Sequence, residues 1–498
     1  MYATTESLAT PPAVQGGGRS RWLALYTLCA GMLMIVLDVT VVNVALPAIQ
    51  DDLGFTSSSL AWVVNAYLIA FGGLLLLAGR LGDLLGRRNI FVAGLALFTA
   101  ASVWCGLAGS QEMLVAARFL QGVGGALTSA VILGMIVTLF PEPREQAKAI
   151  GVYAFVASAG GSIGLLAGGV LTQAISWHWI FFINLPIGIA TAWLAVRLIG
   201  QDKGLGLGRG TDVPGAVLIT AALMVGVFTI VSPAAELGWT APRTIALGAL
   251  TLTLLACFVV RESTAANPLV PLRIFRSRTL TGANLVQALS SSGMFGIFFL
   301  GSLYLQRVLG YDALEIGLAF LPTTLVMGLL SVRYSEKLVM RFGPRRPLIA
   351  GLSLIVVGLA LFTQAPVGGS YVVHVLPVLI LLGLGGGVCF PALMGLSMSD
   401  VKPEDAGLAS GLIGTTAEVG AALGLAVLAT LSATRTESLA AAGKPALDAL
   451  TSGFHYSFAV AAVIVAAAVV IACTLMRPKV SEAKTAEAAE AAEALEAV

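Results

Sequence analysis

Charge is what this chain has least of. Of its 498 residues, 11% are Asp, Glu, Lys or Arg, three are histidine and 57% are hydrophobic. A soluble chain of this length carries about 25% charge. So few charged groups cannot cover a water-facing surface, which excludes a soluble globular protein and leaves lipid around most of the molecule. A mean hydropathy of +0.93 agrees. Net charge is only +2, so no basic surplus points to a nucleic-acid partner. Cysteine is scarce too: Cys29, Cys105, Cys257, Cys389 and Cys473 each stand alone in an apolar run. Without Cys-x-x-Cys or Cys/His spacing they imply neither disulfides nor a metal site. No G-x-x-x-x-G-K-[ST] loop is present, and the glycine-rich run Gly204–Gly210 has no strand before it and reads as a linker. No hydrolase triad spacing stands out, and no segment between apolar runs is long enough to bury a catalytic core. The reading is therefore a non-enzyme, with no cofactor expected.

Long apolar runs are abundant instead. A bilayer core needs roughly 20 apolar residues as helix, and fourteen stretches meet that length: 22–44, 60–79, 89–109, 113–138, 149–172, 178–199, 213–232, 243–260, 281–305, 315–333, 347–364, 372–397, 406–431 and 454–475. Helix is the expected element, because lipid offers no partner to an unpaired backbone group. The first run follows Arg19 and Arg21, is too long for a signal peptide and lacks a small-residue cleavage pattern, so it reads as a retained span. Basic residues orient the chain. With the N-terminus inside, the 28 Lys and Arg fall in cytoplasmic segments except Arg243, Arg307, Arg435 and Lys444, and except Arg118, which lies within the fourth run. Both termini are then cytoplasmic.

The loop after the second run, Gly79–Gly94, aligns with the loop after the tenth, Glu336–Gly351. Matching Gly86 to Gly343 also matches Arg80 to Lys337, Leu81 to Leu338, Arg88 to Arg345 and Gly94 to Gly351, while Met340 replaces Asp83. Two six-span halves in parallel orientation explain this, with a substrate path between them. The expected division is a tail (1–21), a six-helix bundle (22–199), a linker with two inserted helices (200–262), a linker and second bundle (263–476) and a tail (477–498).

The motifs in this frame resemble those of the major facilitator superfamily, and within it the fourteen-span drug:proton antiporters of the EmrB/QacA type. They are Leu37-Asp-Val-Thr-Val-Val-Asn-Val-Ala-Leu-Pro47, Gly79-Arg-Leu-Gly-Asp-Leu-Leu-Gly-Arg-Arg88, Arg118-Phe-Leu-Gln-Gly-Val-Gly-Gly-Ala126, the fifth-run glycines Gly151, Gly160, Gly164, Gly168 and Gly169, and Trp177-His-Trp-Ile-Phe-Phe-Ile-Asn-Leu-Pro-Ile-Gly188. Leu165 stands where that family usually has proline, and His178 where it usually has arginine. The resemblance implies a multi-pass protein of the bacterial cell membrane, acting as a monomer in multidrug efflux, with antibiotic resistance as a consequence. It would export a small lipophilic substrate in exchange for protons under the proton motive force. It further implies a conformational latch at Gly79, Asp83, Gly86, Arg87 and Arg88, and an antiporter glycine motif whose close helix approach is a sliding seam or plain packing.

Three ionisable side chains lie deep in the runs: Asp38, Arg118 and Glu418. A central charge costs about 2.5–3.5 kcal/mol even on the lenient insertion scale, which marks each as a functional candidate. Asp38 and Arg118 both fall in the outer half of the core, where they can pair if the first and fourth runs are neighbours. The pair is then either a static ion pair or a proton acceptor with its counter-charge. Arg118, Gln121, Gly122, Gly125, Thr128 and Ser129 share one helical stripe, expected as a cavity wall together with Asn43, or as a packing face. Glu418, near the midplane of the thirteenth run, is a second protonation site, a contact for a cationic substrate, or a protonated packing residue. A metabolite facilitator or proton symporter on the same fold, and a non-transporting sensor or lipid-binding protein, are the other functions open to such a chain.

Overall fold

The structure, a computed structural model, describes residues 18–55, 57–202, 204–206, 212–234, 237–265, 268, 270–311 and 313–476. Most of both expected tails lies outside it. No strand occurs among the described residues, and fourteen helices are long and apolar enough to cross a membrane. They are α1 (Arg19–Val42), α2 (Trp62–Leu85), α3 (Arg87–Gly106), α4 (Gln111–Leu139), α5 (Pro143–Thr172), α6 (Trp179–Leu198), α7 (Val213–Ala234), α8 (Pro242–Thr264), α9 (Arg278–Arg307), α10 (Glu315–Phe342), α11 (Arg345–Phe362), α12 (Tyr371–Met398), α13 (Pro403–Ala441) and α14 (Ala446–Thr474). Each expected run is found, but several helices outlast it; α14 starts at Ala446 and α13 reaches Ala441. An apolar-length ruler measures only the hydrocarbon-buried part, whereas backbone hydrogen bonding continues into the polar flanks.

Helices α1–α6 and α9–α14 form two bundles with the same internal pairing. In the first, α1 packs on α5 and α6, α4 on α2 and α3, and α3 on α6. In the second, α9 packs on α13 and α14, α12 on α10 and α11, and α11 on α14. The aligned loop residues occupy equivalent places. Gly86 and Gly343 both take a left-handed backbone, with φ of 95° and 71°, which a side chain would strain. Arg88 donates to the Val196 carbonyl at 2.9 Å near the end of α6, and Arg345 to the Ala472 carbonyl at 3.2 Å and to that of Cys473 at the end of α14. The inserted pair is attached through α7, which lies on α2; α8 packs on α7.

Two seams join the bundles: α13 against α2 and α4, and α5 against α10 and α12. They rest on glycine. A Cβ at Gly79 would strike the Gly407 carbonyl, and one at Gly134 would stand 2.9 Å from the Ala406 carbonyl; Gly151 faces the Ser331 carbonyl in the same way. Backbones therefore meet with no side chain between them, which suits helix contact in lipid, where dispersion rather than water expulsion drives association.

At the end carrying the basic loops, the first seam is bolted. Asp83, buried at the end of α2, accepts hydrogen bonds from the Gly407 N–H at 2.8 Å and the Leu408 N–H at 2.7 Å, the free donors at the start of the α-helical part of α13. A carboxylate there satisfies orphan N–H groups and meets the positive end of the helix dipole. Arg87 donates to the same carboxylate at 2.9 Å and to the Pro403 carbonyl across the seam. Asp202 fixes this loop by accepting from the Arg87 N–H at 2.7 Å. In the second half Met340 has no such capacity, and the exposed Arg144–Glu336 pair at 2.6 Å spans the other seam. Asp83→Ala would leave buried donors and Arg87 uncompensated. Spin labels at the exposed Asn89 and Glu404 should then report a new, longer-distance population by electron–electron resonance. An unchanged distance distribution would contradict the bolt.

Candidate functional site

The site is a closed polar cluster in the outer part of the first bundle. Asp38 on α1 is 2% exposed and Arg118 on α4 1% exposed. Arg118 Nη1 donates to Asp38 Oδ2 at 2.5 Å. Gln121 Nε2, one turn further along α4, donates to Asp38 Oδ1 at 2.6 Å, and Asn184 Nδ2 on α6 donates to the same oxygen at 3.1 Å. Three donors from two helices thus converge on one carboxylate, the condition under which a buried charge is tolerated. Gln121 Oε1 accepts from Arg118 Nη1 at 2.7 Å, which orients its amide. Ser102 on α3 accepts from Asn184 at 3.0 Å and Gln121 at 3.2 Å, and donates to the Phe181 carbonyl at 2.9 Å.

Local sequence sets these positions. Ser110 caps α4 by accepting from the Met113 N–H at 3.2 Å, which fixes the register that turns Arg118 and Gln121 inward together. On α6 the helix is interrupted at Ile183, just before Asn184. Pro186 follows and has no N–H for the carbonyl four residues back. The arginine also reaches α2: its Nε donates to the Val63 carbonyl at 2.9 Å, and its guanidinium lies 4.5 Å from the centre of the Tyr67 ring. Arg118 therefore links the acid on α1 to the helix that carries Asp83.

The stripe expected as a cavity wall is packed. Gly122 and Gly125 receive Tyr67, Ala70 and Phe71 of α2; added Cβ atoms there would stand 3.0 Å from the Ala70 Cβ and 2.9 Å from the Tyr67 hydroxyl. Gln121 is enclosed in the cluster. This corrects the cavity-lining expectation for these three residues in the arrangement seen: the small side chains admit α2 rather than a ligand. The side chain of Asn43 lies outside the described ones. In α5, Gly160, Gly164 and Gly168 face α1 of the same bundle, against Val36, Thr40 and Val41, the turns that flank Asp38. Gly169 meets nothing within 4 Å, and of the five motif glycines it is Gly151 that faces the other bundle. The α-helix continues through Leu165.

Glu418 stands apart, on α13 opposite α2, its Cβ 4.0 Å from where a Cβ on Gly72 would be. It has no ion-pair or hydrogen-bond partner among the described residues. Of the residues expected as a latch, Asp83 and Arg87 form the bolt, Gly79 lies in the glycine seam, Gly86 turns the loop and Arg88 ties that loop to α6. No group of His, Cys, Asp and Glu among the described residues is gathered to hold a metal. Ser102, Asn184 and Tyr67 were not among the site residues inferred from sequence. Asn184 had a readable signal, an amide inside an apolar span one residue before Leu-Pro; Ser102 and Tyr67 had none.

Known proteins share this design. Residues 28–425 match the model of the Major Facilitator Superfamily. The chain is 38% identical over 451 residues to the puromycin resistance protein pur8 of Streptomyces alboniger, covering 90% of this chain and 89% of that one. It is 39% identical over 416 residues to the cephamycin export protein CmcT of Amycolatopsis lactamdurans, covering 83% and 85%. The solved structure of the human organic anion transporter MFSD10 superposes with a TM-score of 0.64 at 15% identity, over 93% of this chain and all of that one, a likeness of fold. On the matched length, the paired bundles and the close relatives, the chain is a member of the major facilitator superfamily.

Proposed function

We propose that this protein is a drug:proton antiporter of the bacterial cell membrane, with both termini in the cytoplasm. It exports a lipophilic drug or antibiotic as protons move inward, by alternating access between its two bundles. The relatives named for puromycin resistance and cephamycin export support the substrate class. The observation that carries the coupling is the Asp38–Arg118 pair, sealed from water at 2.5 Å.

With Asp38 ionised, Arg118 is balanced and holds α1, α4 and α2 in one arrangement through Asp38 and the Val63 carbonyl. Protonating Asp38 removes the balancing charge, so Arg118 changes its bonding to Val63 and, through α2, biases the bolted seam. Coupling requires that proton and substrate act on that single switch. One proton crossing ~100 mV supplies about 2.3 kcal/mol, or roughly 50-fold accumulation, enough for efflux. Glu418, uncompensated where the bundles meet, carries a second proton in this scheme.

Inverted vesicles energised by a proton gradient test the assignment. Asp38→Asn should slow gradient-driven uptake of an exported dye about ten- to hundred-fold, the worth of a charge-assisted hydrogen bond of about 1.5–3 kcal/mol. Wild-type rates in that variant would refute the role of Asp38. In the same assay Glu418→Gln should weaken transport of neutral and cationic dyes alike. A loss confined to cations would make Glu418 a substrate contact instead.

A further inference from the structure

The cluster around Asp38 is built for a carboxylate: Arg118, Gln121 and Asn184 all offer it N–H groups. A protonated Asp38 has one O–H to donate and needs an acceptor. Two side-chain oxygens are close by. Gln121 Oε1 is engaged by Arg118 at 2.7 Å and by the Cys105 thiol at 3.5 Å. Asn184 Oδ1 is different: it is buried and has no hydrogen-bond partner, although its residue is 1% exposed. A buried, unfilled amide oxygen costs about 1–3 kcal/mol, so it needs a reason.

We infer that Asn184 is the proton-sensing positioning residue of the site, its amide turning over when Asp38 takes up a proton. With Asp38 ionised, Nδ2 faces the carboxylate and Oδ1 is idle, as observed. A proton arriving from water forms an O–H bond on Asp38 Oδ1. The Asn184 contact, at 3.1 Å the longest of the three, is the one that reverses. A half-turn about the terminal torsion brings Oδ1 to accept that O–H, and the Asn184–Ser102 bond is given up. Ser102 keeps the Gln121 N–H and its own bond to the Phe181 carbonyl. The turn gives up both N–H bonds of Asn184, to Asp38 and to Ser102, for one O–H···O bond, so the turned state lies uphill and is held only while Asp38 carries the proton, which lets it reverse when the proton leaves.

Charged and titratable neighbours are few. Arg118 faces the acid from α4, Cys105 reaches it through Gln121 from α3, Tyr67 of α2 lies against the Arg118 guanidinium, and Glu418 stands on α13 opposite α2. Arg144, Glu145 and Lys148 of α5 and Arg197 of α6 lie at the opposite, basic end of their helices, and His178 lies just before α6.

The inference rests on Asp38 being the proton carrier, and one experiment separates the two. Infrared pH-difference spectra would be recorded on the full-length protein in lipid nanodiscs. The wild type should show a carboxylic C=O band and a side-chain amide C=O band rising with one pH midpoint. Labelling asparagine with 13C should move the amide band in the unmutated protein, which keeps the test valid if variants misfold. Asn184→Leu should abolish the amide band and move the carboxylic band to higher frequency; Asn184→Ser, which retains an acceptor, should largely restore its position. An amide band that ignores the label, or persists in Asn184→Leu and vanishes in Gln121→Leu, would overturn the role of Asn184. Recorded in a Glu418→Gln background, a carboxylic band that survives Asp38→Asn would instead overturn the role of Asp38.

Discussion

A carboxylate removed from water must find every partner inside the protein. Around Asp38 this requirement fixes the rotation and height of four helices relative to α1: α4 supplies the guanidinium and one amide, α6 a second amide, α3 the hydroxyl that holds both amides, and α2 the carbonyl that takes the guanidinium Nε–H. Such a cluster adds little net stability compared with an apolar core of the same volume, yet breaking one partner costs about 3–5 kcal/mol. It therefore specifies one arrangement sharply and makes that arrangement responsive to a single proton. The packing nearby serves the same end. Gly160, Gly164 and Gly168 bring α5 against the turns of α1 on either side of the acid, so α1 cannot shift without α5.

The contact between the bundles obeys a different rule. It is made of backbone against backbone, Gly79 with Gly407 and Gly411 on one side and Gly151 with Ser331 on the other. Backbone surfaces of this kind interlock little, although on the second seam the Phe155 ring of α5 fills the space left by Gly328 of α10. The buried part of the specific hold lies with Asp83 and Arg87, where charge and helix dipole add to the hydrogen bonds. The Asp38 cluster, linked by Arg118 to α2, is thus linked to the helix that bears this hold.

Much of the architecture was legible in the sequence because lipid imposes strict rules. Apolar length gave the fourteen helices, and the Gly86–Gly343 alignment gave a repeat whose glycines share a left-handed backbone. Asp38 and Arg118 stood out because charges in apolar runs are rare, and the structure brings them together. Uncharged polar groups carry no such mark. Ser102 reads as a small residue suited to any helix, and Tyr67 as an aromatic core residue; their part emerges only from contacts across helices. The stripe on α4 was ambiguous for a related reason, since small residues suit a cavity wall and a tight helix contact equally, and here Tyr67 and Phe71 fill it.

The two arginine staples, Arg88 to Val196 and Arg345 to Ala472 and Cys473, close each bundle upon itself by tying its first basic loop to its own sixth helix. Each half is thereby a stiff shell at that face. Deformation between the shells concentrates in the seams, and these differ: one jamb carries a buried bolt, the other a solvent-washed ion pair. If the bundles separate, two shells joined by one firm edge and one yielding edge would part like a book from its spine, and the gap between them would widen as a wedge rather than a parallel slot.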